Sequence, residues 1–148
     1  METNRGFTII EMLLVVAIIG ILSSVTLMML SPARDKARDA SIIQEVNQAR
    51  ALAETFYNGT YDALESLPKV NGPENQNLKL LADDIMEQGG ELTIRKSAAR
   101  RATAYIMYSP LHQIIGKGEE AAREYYCVES GGRTAIVLHE PFGMSCIE

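Results

Sequence analysis

The sequence predicts an α+β fold: one long N-terminal α-helix, its first half suited to a membrane and its second half packed on a small antiparallel β-sheet domain. Three observations carry this expectation. Phe7 to Leu30 holds one ionised side chain, Glu11, in 24 residues. Beyond Pro32, apolar residues recur at spacings of three and four, the period of an amphipathic helix. In the last third, short runs rich in β-branched and aromatic residues alternate with glycine-containing turns.

Composition sets the outer limits. The chain has 148 residues, 47% hydrophobic and 22% charged, with a net charge of -5. That apolar content excludes a disordered chain, 11 Gly and 5 Pro exclude collagen, and two cysteines exclude a disulfide-dense scaffold. The average conceals two solvents, because residues 31–148 carry 13 basic and 17 acidic groups, the balance of an ordinary water-soluble domain.

The elements follow in order. Residues 1–6 form a polar leader with one basic residue, Arg5. Residues 7–30, as a helix, would be about 36 Å long at roughly 1.5 Å per residue, against about 30 Å of bilayer hydrocarbon, so one span suffices. A secretory signal peptide would instead end in a small-x-small cleavage site, which this run lacks. Arg34, Lys36 and Arg38 outnumber Arg5, so counting basic residues leaves the orientation open. Ser31-Pro32 could mark a break or a kink, but the pattern on either side reads as one helix of about 50 residues, from Phe7 to near Tyr57.

Residues 31–57 continue the helix, with Ala33, Ala37, Ala40, Ile43, Val46, Ala49, Ala53 and Phe56 as its apolar stripe and Asn58-Gly59 as its stop. Residues 58–148 form the head. Thr60 to Asn75 reads as irregular, Asn75 to Gln88 as a second helix ended by Gly89-Gly90. Strands are expected over Glu91 to Arg95, Thr103 to Tyr108, Glu124 to Glu129 and Arg133 to His139, the last two joined as a hairpin by Ser130-Gly131-Gly132. Tyr105, Tyr108, Tyr125 and Tyr126 read as sheet core and rim.

Gly6-Phe7-Thr8-Ile9-Ile10-Glu11 and the apolar run to Leu22 resemble the N-terminal signature of type IV pilins and of the related pseudopilins of type II secretion. The close match covers about 20 residues; the helix-plus-sheet plan is pilin-like in architecture alone. The resemblance implies that prepilin peptidase cuts between Gly6 and Phe7 and methylates the new amine of Phe7. The head would then lie outside the cytoplasm. It also implies a subunit with no catalytic residues and no cofactor. Such a subunit waits in the bacterial inner membrane as a single-pass protein in contact with lipid. An inner-membrane assembly platform then draws it into a homo-oligomeric helical filament, a pilus or pseudopilus at the cell surface.

Two roles stand open for Glu11. A carboxylate at the centre of a lipid helix costs about 2.5 to 3.5 kcal/mol, less near an end, and the first turn favours negative charge. The resemblance adds pairing with the Phe7 amine of a neighbouring subunit. Ala17, Gly20 and Ser24 give the small-residue spacing that lets helices approach closely in lipid, though small residues are also common in spans. Family members often carry Pro where this chain has Met28, with Pro32 one turn later.

Cys127 and Cys146 suggest an oxidising compartment. A bridge would close a loop of about 20 residues, worth roughly 3 kcal/mol in the chain-entropy model; two buried free thiols are the alternative. In pilins such a bridge closes a surface loop.

The remaining signals are weaker. Arg95, Lys96, Arg100 and Arg101 could meet nucleic acid, but a solvated loop in an acidic domain explains them as simply. His112 and His139 lack ligand spacing and read as surface or turn residues, and Glu129, Glu140 and Glu148 match no calcium loop, so no metal is expected. Gly116-Lys117-Gly118 is too short to cradle phosphate. The readings carried forward are a structural subunit of a type IV pilus-like filament; a pseudopilin of type II secretion or DNA uptake, or a minor pilin; and, from another class, a membrane-anchored ligand-binding module.

Overall fold

A computed structural model describes residues 7–64, 75–98, 100–115 and 121–147. The leader 1–6, most of the irregular stretch expected over Thr60 to Asn75, the Gly116-Lys117-Gly118 segment and Glu148 lie outside the described residues. The chain divides into two units, Met1–Arg34 and Asp35–Glu148.

Helix α1 spans Ile9–Thr55 and runs through Pro32 without a break. The single helix expected across Pro32 is present: proline removes one backbone donor, and 47 helical residues tolerate that single loss. At its end Phe56 and Tyr57 donate backbone bonds to Ala53 and Glu54, and Gly59 takes a φ of 99°. Only glycine adopts that conformation cheaply, which is why the helix stops where Asn58-Gly59 predicts.

Within the head, α1 buries Asp39, Ile42, Val46, Ala49 and Ala53, at spacings of three and four. Ala33, Ala37 and Ala40, placed on the stripe by sequence, are exposed. An aspartate sits on the buried face instead, so apolarity alone assigned that end of the stripe wrongly.

Helix α2, Gln76–Glu87, buries Leu78 and Ile85 against the same core. Gly89 N–H bonds to Met86 O and Gly90 N–H to Ile85 O, a Schellman closure with Gly89 at φ 87°. A Cβ on Gly90 would stand 2.7 Å from Ser109 Oγ and 2.8 Å from Ile85 Cγ2, so the position accepts only glycine without a shift.

Four strands, β1 (Thr93–Lys96), β2 (Tyr105–Ile115), β3 (Ala122–Glu129) and β4 (Thr134–Val137), form an antiparallel sheet in sequence order. The expected β3–β4 hairpin is present, with Gly132 at φ 88° in its turn. β2 runs seven residues past the expected Tyr108 end, because Pro110 falls beside a register irregularity between Pro110 and Ile114 where the ladder tolerates a missing donor.

Alternation divides the sheet into two faces. Tyr105, Met107, Leu111, Tyr126 and Val128 join Ile42, Val46, Ala49 and Ala53 in the core beneath α1. Ile106, Tyr108 and Cys127 point the other way and are covered by the C-terminal segment through Cys146 and Met144. The helix is also keyed to the sheet by polar contacts. Glu54 accepts the hydroxyls of Tyr105 at 2.6 Å and Tyr61 at 2.9 Å, and Asn47 accepts that of Tyr126 at 3.1 Å.

Candidate assembly surface

The first unit is an apolar helix with its side chains open. An 18-residue window of α1 has a mean hydropathy of 2.7 and none of that window is buried within the chain. Ile9, Leu13, Val16, Leu27 and Met28 are all exposed. Burying one such side chain is worth about 1.5–3 kcal/mol, so a bare surface of this length demands lipid or protein cover.

At its start, Thr8 and Glu11 form a capping box. Glu11 Oε2 accepts Thr8 N–H at 2.9 Å and Thr8 Oγ1 at 2.7 Å, while Thr8 Oγ1 lies 3.4 Å from Glu11 N. The Thr-x-x-Glu spacing written in the sequence signals this arrangement, which the reading of Glu11 alone overlooked. The box satisfies first-turn donors and ties the carboxylate to Thr8, one residue beyond Phe7, which is exposed. Gly6 lies outside the described residues.

Ala17, Gly20 and Ser24 share one exposed face by their spacing of three and four. A Cβ on Gly20 would meet nothing within 4 Å, so glycine is not required there by the chain's own packing. Ser24 Oγ and Thr26 Oγ1 donate to the Ile21 and Leu22 carbonyls at 2.7 and 2.8 Å, which turns both hydroxyls onto their own helix. That face consequently presents little beyond hydrogen, methyl and methylene groups.

In the head, the disulfide joins Cys127 to Cys146 across 19 positions, with Cα atoms 5.6 Å apart. It closes a segment that crosses the outer sheet face. Glu129 and Glu140, weighed above as cation ligands, serve that segment instead. Glu129 Oε1 accepts Cys146 N–H at 2.7 Å, and Glu140 Oε1 accepts Tyr108 OH at 2.6 Å. Among the described residues no three His, Cys, Asp or Glu side chains converge as metal ligands.

Two weaker candidates change meaning. His112 is not a lone surface residue: its backbone N–H and ring Nδ1 lie 2.7 and 2.9 Å from Asp39 Oδ1. Nothing in the spacing of two residues 73 positions apart signals that pairing. His139 is exposed. The basic quartet is divided, since Arg95 pairs with Glu140 at 2.7 Å and Lys96 Nζ donates to Asp62 O at 3.1 Å, whereas Arg100 and Arg101 are exposed.

Residues 1–27 match the family described as the prokaryotic N-terminal methylation motif. Over 88 residues the chain is 33% identical to the type IV wide pilus major component PilA4 of Thermus thermophilus, an alignment covering 55% of this chain and 67% of that protein. No solved structure matches the chain.

Proposed function

Since the chain belongs to the type IV pilin family and is a structural protein rather than an enzyme, we propose that it is a subunit of a type IV pilus-like filament, polymerised through the apolar half of α1. The observation that carries this reading is a long helix whose 18-residue apolar window is unburied by the chain and whose first turn holds a fixed carboxylate. An ordinary membrane anchor needs the first of these and has no use for the second.

Prepilin peptidase removes residues 1–6 between Gly6 and Phe7 and methylates Phe7. The subunit then resides in the inner membrane by residues 7–30, with residues 31–57 and the head 58–148 outside the cytoplasm. Extraction replaces acyl chains with neighbouring helices, so little apolar surface meets water at any stage. Glu11, positioned by Thr8, compensates the Phe7 amine of a neighbour, and the Ala17, Gly20 and Ser24 face lets backbones come close. Head-to-tail contacts of this kind do not close on themselves, which yields a fibre rather than a ring.

A pilus is favoured over a pseudopilus by the relative, a major component of a pilus. Shearing surface fibres from cells that carry Glu11→Ala tests the reading. Membrane insertion is expected to persist while fibres disappear or become irregular; normal fibres from that variant contradict the role of Glu11.

A further inference from the structure

The segment after β4, residues 138–147, lies on the outer face of the sheet and is fastened there by more than sulfur. Glu129 stands two residues from Cys127 on β3, so both side chains project to the same face. Its Oε1 accepts the N–H of Cys146 at 2.7 Å and the hydroxyl of Ser145 at 3.0 Å, and its Oε2 lies 3.7 Å from Arg133 Nε. Its side chain is only 14% exposed, which shields these bonds from water. At the other end of the segment, Glu140 Oε1 accepts Tyr108 OH at 2.6 Å and Arg95 Nη2 at 2.7 Å, and Arg95 Nη1 donates to Pro141 O at 2.8 Å. Three strands thus grip the segment: β1 by Arg95, β2 by Tyr108 and β3 by Glu129.

We propose that Glu129 and Glu140 hold this strap on the sheet whether or not the cysteines are bonded, and that Glu129, by gripping the backbone of Cys146, is the positioning residue for formation of the Cys127–Cys146 bridge. The oxidation removes two electrons and two protons from the thiols, and a small-molecule disulfide of the glutathione class takes up both. One cysteine thiolate attacks that disulfide and expels one glutathione thiolate. The other cysteine thiolate then attacks the mixed disulfide and expels the second. The second step is intramolecular, so its equilibrium follows the fraction of time that the two thiols lie side by side. Glu129 raises that fraction at the residue that reacts, whereas Glu140 raises it by keeping the whole strap down.

The test is a redox titration of the full chain in detergent micelles against oxidised and reduced glutathione, which yields the effective concentration of one thiol at the other. Hydrogen bonds to charged groups predict a loss of roughly tenfold for Glu129→Ala and roughly a hundredfold when Glu140→Ala is added. Glu129→Gln, which keeps an acceptor, recovers part of the loss, and Asp83→Ala, at an exposed position of α2, changes nothing. In the reduced wild-type chain, the Cys146 amide stays protected from hydrogen exchange. A wild-type effective concentration in Glu129→Ala overturns the proposal. So does a Cys146 amide that exchanges at the unfolded rate once the bridge is reduced, and this second measurement decides alone if a substituted chain does not fold.

Discussion

Asp39 Oδ1 accepts the backbone N–H of His112 at 2.7 Å and faces the ring Nδ1 of the same residue at 2.9 Å. One carboxylate on the buried stripe of α1 is thereby tied to β2 twice. Without this partner Asp39, 8% exposed, would be a polar group buried at a cost of about 1–3 kcal/mol. Asp39→Ala and His112→Ala should each destabilise the full chain in micelles by about 1–3 kcal/mol. The double variant should lose less than their sum, with a coupling of at least about 0.5 kcal/mol. Additive losses in thermal unfolding would show that the two side chains do not share an interaction.

Glu54 makes the corresponding link near the end of α1, and it gives the head an alkaline limit. Burial, then the Glu54 carboxylate, pushes the Tyr61 hydroxyl up to about 12, and the same two causes raise Tyr105 further. Burial and Glu140 push Tyr108 up to about 12. These folded values exceed the ordinary value near 10, so the stabilising contribution is complete below pH 10 and is lost as the pH rises through 12. Ultraviolet titration should show three of the six tyrosines ionising late, together with loss of secondary structure. Six tyrosines ionising together near pH 10 in a folded head would refute this.

Two glycines should respond oppositely to a methyl group. Gly90→Ala forces a Cβ to within 2.7 Å of Ser109 Oγ and should lower the unfolding free energy by about 1–3 kcal/mol. Gly20 has open space around it, so Gly20→Leu should leave insertion and head stability unchanged and reduce the yield of fibres. Wild-type fibre yield from Gly20→Leu would remove close helix approach at this position from the account.

Thr8→Ala removes the hydroxyl that donates to the Glu11 carboxylate and accepts the Glu11 N–H, leaving only the backbone N–H of residue 8 on that carboxylate. Loss of an N-cap costs about 1 kcal/mol, so the first turn should fray, visible as faster amide exchange in residues 9–12. Fibre assembly should fall towards the level of Glu11→Ala if a fixed carboxylate is what assembly requires. Unchanged exchange in that turn would mean that the capping box contributes nothing to its order.

Much of this architecture was legible because it rests on local physics. The apolar run needs only composition, the helix stop at Asn58-Gly59 needs only the freedom of Gly59 at positive φ, and the β3–β4 hairpin needs only its glycine turn. With two cysteines only one pairing was possible, and two free thiols stood as the alternative to the Cys127–Cys146 bridge that the structure contains. What escaped depends on partners distant in sequence. Asp39 could not be placed on the buried face without His112, and Glu129 and Glu140 could not be assigned to the strap before the sheet had brought Tyr108 and Arg95 beside them. The Thr8–Glu11 box is different: its spacing was in plain view, and attention to the charge of Glu11 concealed its geometry.

In a filament the apolar helix, trimmed at its polar leader, ends up surrounded by copies of itself. Mass spectrometry of this chain from sheared surface fibres reads that outcome most directly. A subunit beginning at Phe7 and carrying one added methyl group is the result expected. A chain still bearing Met1, recovered from the membrane fraction and absent from fibres, would contradict it.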